Sequence, residues 1–80
     1  MKHYVIVNDW VNEFESGVTI LGVTHSLDEA KEIFNQFVED EKSYAEEHGF
    51  EIYDDCETVF YAGEEGYYIS NHTNLYIQMV

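Results

Sequence analysis

The side chains in this chain with a capacity for chemistry are almost all carboxylates. Seventeen Asp and Glu stand against three lysines in 80 residues, for a formal net charge of −14, and there is no arginine. Asp28, Glu29, Glu32, Glu39, Asp40, Glu46 and Glu47 recur at helical spacing. On a wheel of about 100° per residue they occupy one sector of about 120°. Neither Lys31 nor Lys42 enters that sector. A solvated helix face ordinarily mixes its signs, because Glu–Lys pairs four residues apart support a helix by about 0.3–0.5 kcal/mol each. Here Asp28 and Glu32 repel instead. A helix of this length spans about 33 Å, so the wall carries about one charge per 5 Å. A single DNA strand carries about one per 3.4 Å of axis. The array therefore offers recognition: a one-sided row of negative charge that a basic partner would read.

A second acidic group follows the helix, comprising Glu51, Asp54, Asp55 and Glu57, then Glu64 and Glu65. If the segment bearing it lies beside the helix end, the two groups merge into one negative surface. Other chemistries find little in the sequence. The single cysteine, Cys56, sits among Asp54, Asp55 and Glu57, which raise a thiol pKa and blunt its nucleophilicity. Histidines 3, 25, 48 and 72 show no HxH, HExxH or cysteine-paired zinc spacing. The run Asp54-Asp55-Cys56-Glu57 lacks the alternate oxygen ligands and central glycine of a calcium loop. Gly63-Glu64-Glu65-Gly66 would repel a phosphate rather than cradle it. Three lysines cannot assemble a basic patch, so direct nucleic-acid binding is excluded as an expectation. No enzyme activity, cofactor or metal is expected.

These groups must be positioned by a small fold. Ser26 and Glu29 have capping-box spacing, and Gly49 is a residue suited to the left-handed helix terminus. Between them Ala30, Ile33, Phe34, Phe37, Tyr44, Ala45 and His48 share an apolar face, with Leu27 and Val38 at its edge. Glu41 falls in the middle of that face. A bend near Asp40 or a second half leaning off the sheet is the first explanation, and a tyrosine hydroxyl partner the second, since an unpaired buried carboxylate is too costly.

Around the helix the pattern has period two. Residues 2–11 read as a strand with Tyr4, Ile6, Asn8 and Trp10 on one face, and 18–24 as its return partner across a loop at 12–17. Gly22 marks a bulge or a close approach by the helix. Strands are expected at 50–54 and 57–62, joined at Asp54-Asp55. A turn at Gly63–Gly66 leads to a strand 67–70, a break at Asn71–Asn74, and a closing strand 75–80. With one pair merged, the order is β-β-α-β-β-β: an α+β fold with a single long helix packed on a four- to five-stranded antiparallel sheet. One helix covers one face of such a sheet. Tyr53, Phe60, Tyr61, Tyr67, Tyr68 and Tyr76 are the candidates for the other, where aromatics serve either cross-strand packing or an interface.

Length fits one domain, residues 1–80. So acidic a chain could be disordered, but 45% apolar and 16% aromatic residues argue for a packed core. A lone cysteine, with MKHYVIV too short and too soon interrupted by Asn8 and Asp9 to read as a leader, points to a cytoplasmic setting. No apolar run approaches membrane-spanning length, and anionic lipid would repel the chain.

In size, charge and an acidic helix on a small sheet, the chain resembles the small acidic inhibitors of phages and mobile elements, the anti-CRISPR and anti-restriction proteins. Several of these act as DNA mimics that fill a nuclease's nucleic-acid channel. The resemblance is one of profile and carries no motif, so no residue role transfers by alignment. It implies a cytoplasmic inhibitor in a bacterial host cell. The partner would be a basic nucleic-acid-binding nuclease or CRISPR effector, met by the wall acids, with Asp54, Asp55, Glu57, Glu64, Glu65, Tyr67 and Tyr76 as a secondary contact set. The alternative is another non-enzymatic binding module, such as an immunity protein or a homodimeric accessory protein.

Overall fold

The computed structural model describes residues 2–12, 14–65 and 70–80, with the backbone alone at 65 and 70. Five strands and one helix follow in the order β1 (Tyr4–Val11), β2 (Ser16–Thr24), α1 (Leu27–His48), β3 (Glu51–Asp55), β4 (Val59–Glu65) and β5 (Ser70–Met79). All neighbours are antiparallel and the sheet order is β2-β1-β5-β4-β3. The expected fold, one long helix on an antiparallel sheet, is therefore the observed one.

The helix forms where its signals stand. The Ser26 hydroxyl accepts from the Glu29 amide at 3.4 Å, which is the hydroxyl half of the capping box. Gly49 ends it at φ 72°, and its amide returns to the carbonyls of Ala45 and Glu46. Ala30, Phe34, Val38 and Ala45 are the buried helical residues. The stripe is rotated slightly from the expected one: Val38 lies inside, whereas Tyr44 and Leu27 are exposed at 48% and 38%. Opposite them Ile6, Phe60, Ala62 and Leu75 are fully buried and complete the core.

Cross-strand register fixes the two sheet faces. Ile6 pairs with Gly22 and Ile77, and Leu75 with Asn8 and Phe60, so these residues share the helix-covered face. Gly22 meets both expectations. The β1–β2 register slips beside it, and a Cβ there would reach Ile33 at 3.5 Å. Phe60, a candidate for the uncovered face, is instead in the core. Tyr61 and Tyr76 do lie on the uncovered face, paired with Asn74 and with Val7 and Val59, and Tyr53 stacks near Tyr61 with centroids 5.3 Å apart. Tyr67 and Tyr68 fall outside the described residues.

β1 starts at Tyr4 rather than at residue 2, and three further boundaries differ from expectation. The first connection is shorter than expected, because β2 begins at Ser16. Its tightness comes from the Asn12 side chain, which accepts from the amides of Phe14 and Glu15, both at 2.9 Å. The β3–β4 junction falls after Asp55, where the Cys56 amide donates to the Val59 carbonyl at 2.8 Å. The largest change is at Gly63–Glu65 and Asn71–Asn74, expected as a turn and a break. Both runs are strand, and the two strands pair continuously from Val59–Tyr76 to Glu65–Ser70. β5 is the central strand, bonded on both sides, and this pairing overrides the weak strand preference of Asn and His. The residues between β4 and β5, 66–69, lie outside the description.

Candidate functional site

The seven wall acids, Asp28, Glu29, Glu32, Glu39, Asp40, Glu46 and Glu47, are all exposed, whereas Ala30, Phe34, Val38 and Ala45 of the same helix are buried against the sheet. Amphipathic spacing thus presents the carboxylates outward as one face, as the wheel requires. Both helical lysines are drawn to the flank. Lys31 Nζ lies 3.2 Å from Glu57 Oε2, and Lys42 Nζ lies 3.0 Å from Asp55 Oδ2. Exposed pairs of this kind are worth about 0–1 kcal/mol each. Their consequence here is geometric: positive charge is spent along the helix flank beside β3, and the outward face is left acidic.

The described secondary residues fall in different places. Asp55 and Glu57 adjoin the helix through the two lysines. Asp54 accepts from the Cys56 thiol at 2.8 Å. That hydrogen bond, first, and then the charges of Asp54 and Asp55, hold the exposed Cys56 thiol above its ordinary pKa, as its neighbours suggested, whereas Glu57 is occupied by Lys31. Glu64 lines a cleft beneath the helix C-terminus. Tyr76 is on the uncovered sheet face, with the sheet between it and the wall, so it cannot anchor a partner seated on the helix. The Glu65 side chain and Tyr67 lie outside the described residues.

The cleft was missed by sequence reasoning. It has a volume of about 470 Å³ and lies where the last turns of α1 pass over β1 and β5. Trp10, Tyr44 and Phe50 supply aromatic walls; Asn8, Thr73, Glu41 and Glu64 supply polar ones. Glu41 is half-buried there and accepts a hydrogen bond from the Thr73 hydroxyl. Thr73 Oγ1 itself accepts from Asn8 Nδ2 at 2.8 Å. Having accepted that bond, the hydroxyl directs its single proton to the carboxylate. The partner of Glu41 is therefore a threonine, not a tyrosine, and α1 continues through this position as one helix. Desolvation is the main cause that raises the Glu41 pKa; the Thr73 bond opposes it and the Asp40 charge adds to it. One signal was present in the sequence: Asn8 on the strand face of Tyr4 and Ile6, and Glu41 on the helix face, are two polar intrusions into surfaces that must meet.

Gly17 keeps the aromatic wall in place. It pairs with Trp10 across the β1–β2 ladder, and a Cβ on it would come within 2.6 Å of the indole ring. The histidines are distributed rather than clustered. His3 and His25 rings are 4.6 Å apart at one end of the sheet, and His48 stacks on Tyr44 at 4.1 Å at the other end of the helix. Among the described residues no group of three or more His, Cys, Asp or Glu could hold a metal ion. No helix among them is long and apolar enough to cross a membrane.

Comparison with family models, with curated proteins and with solved structures returns no match to this chain.

Proposed function

We propose that this chain is a non-enzymatic acidic inhibitor whose helix occupies the basic nucleic-acid groove of a bacterial defence nuclease or its guide-RNA complex, in the manner of a DNA mimic. The observation that carries the reading is the outward face of α1: seven exposed carboxylates, with both helical lysines held at the flank by Asp55 and Glu57. Fixed charge at this density steers encounter with a basic groove and suppresses neutral or acidic partners. The setting that goes with this function is the bacterial cytoplasm. Charge reversal tests it. Glu39→Lys with Glu46→Lys abolishes inhibition of a DNA-cleaving effector that the wild type blocks, while thermal stability holds or rises. Unchanged inhibition by the reversed variant contradicts the proposal.

A second reading is favoured by one specific feature, the uncovered sheet face. Val18, Ile20 and Val23 there are 65%, 56% and 59% exposed, and Tyr76 and Tyr61 share the face on the far side of β1. A binding module that pairs with a second copy through this face would keep the acidic helices on its two outer surfaces. Sedimentation equilibrium decides between a 9.4 kDa species and twice that mass. Ile20→Lys dissociates the dimer if this reading holds.

A further inference from the structure

We infer that the cleft beneath the C-terminal turns of α1 is a binding site for a guanidinium group. Its volume of about 470 Å³ is that of a small-ligand site. Glu41 and Glu64 provide carboxylates, Trp10, Tyr44 and Phe50 provide flat apolar walls, and the imidazoles of His48 and His72 complete the lining, His48 against the Tyr44 ring. A planar cation satisfies both demands together: it forks two N–H groups onto a carboxylate and stacks its face on an aromatic ring.

Among the described residues the chain brings no guanidinium or ammonium group into an ion pair here; the basic side chains in the lining are the imidazoles of His48 and His72. It has no arginine, and two of its three lysines, Lys31 and Lys42, are engaged by Glu57 and Asp55. Lys2 precedes β1, whereas Trp10 lies near the strand's far end. Among the described residues no ion pair reaches Glu41 or Glu64. The hydrogen-bond chain from Asn8 through Thr73 to Glu41 fixes the carboxylate from the sheet side. A carboxylate accepts about four hydrogen bonds, so Glu41 retains capacity for a bidentate partner. A cation there also offsets the desolvation of Glu41 and the repulsion from Asp40.

Two sources offer this chemistry: an arginine of a protein bound to the helix, or a free small guanidinium compound. The first rests on the function proposed above; the pocket chemistry does not. The chain's single tryptophan lines the cleft, so its fluorescence reports occupancy directly. The probes are N-acetyl-arginine amide, its neutral isostere N-acetyl-citrulline amide, and a short arginine-containing basic peptide. A saturable change in Trp10 emission is expected with the arginine amide and not with the citrulline amide. Glu41→Gln is expected to weaken the response by about tenfold or more, as the loss of a charge-assisted bidentate contact implies. Glu39→Gln with Glu46→Gln, on the outer wall, leaves arginine-amide binding unchanged.

A tighter response to the peptide, with the gain removed by the wall variant, assigns the cation to a protein partner. Equal affinity for peptide and amide assigns it to a free compound. The inference is overturned by equal responses to arginine and citrulline amides. It is also overturned if the response does not saturate and is lost in the wall variant, which marks a cation drawn only by net charge. The arginine–citrulline comparison uses wild-type protein and needs no variant to fold. It also needs no nuclease, so its failure is distinguishable from failure of the inhibitor reading.

Discussion

Glu41 shows what a single residue's setting does to the whole chain's response to pH. Its folded pKa lies above its ordinary value of 4.5, chiefly because the helix and sheet desolvate it. The folded state therefore holds this proton more tightly than the unfolded state. Its contribution to stability is fully present below pH 4.5 and is lost as pH rises through the folded pKa. Glu41→Gln keeps an acceptor for the Thr73 hydroxyl and removes the ionisation. The variant is expected to melt higher than wild type at pH 7, with the difference shrinking as pH falls into the carboxylate range. Paired thermal melts over that range check it, and the comparison cancels the titration of the other acids. A variant that melts lower at pH 7 would mean that the charged form is the one the fold favours. The position of Glu41 was legible in the sequence, as an acid on an apolar face. Its partner was not, because Thr73 sits 32 residues away in a stretch whose composition reads as a break.

Among the elements, the helix was the most legible and β5 the least, for one physical reason. Helix signals are local: Ser26, Glu29 and Gly49 act within a turn or two of themselves. The central strand depends on partners far along the chain, and Asn71, His72, Thr73 and Asn74 belong to it because β1 and β4 bond to both sides. The cleft was hidden for the same reason: Asn8 and Glu41 each stood out on an apolar face, but only the pairing of β5 with β1 brings Thr73 to Asn8. The helix makes its own predictions. Phe34 is 1% exposed among Ile6, Phe60 and Leu75. Phe34→Ala should cost about 3–5 kcal/mol in chemical denaturation. Ser26→Ala, losing only the cap, should cost about 1 kcal/mol. A Phe34 cost as small as that of the cap would contradict a core centred on this helix.

At the scale of the whole molecule, the acidic helix wall and the exposed apolar residues of β2 lie on opposite sides of a thin body, 45 × 21 × 15 Å. Eight of the seventeen acids belong to α1. The uncovered face carries Val5, Val18, Ile20, Val23, Tyr61 and Tyr76, together with the acids Asp9 and Asp54. The edge strand β3 is fully exposed and carries Glu51, Asp54 and Asp55, charges that discourage pairing with other chains. β2, at the other edge, bears no charge but has a register slip at Gly22, which twists an edge away from such pairing. A net charge of −14 repels itself. The melting temperature should therefore rise with sodium chloride, as the screening length contracts from about 30 Å at 0.01 M to about 10 Å at 0.1 M. A fall would mean that the Lys31–Glu57 and Lys42–Asp55 pairs outweigh the repulsion along the wall.

The most direct test of the central claim is competition. The tagged protein is immobilised, loaded with lysate containing CRISPR effectors and restriction enzymes, and eluted with duplex DNA and, separately, with a salt gradient. The expected result is a nucleic-acid enzyme that DNA displaces and that salt releases steeply, because both act on a groove built for phosphates. Retention of a partner that neither DNA nor moderate salt removes would contradict the claim and place binding on the uncovered sheet face.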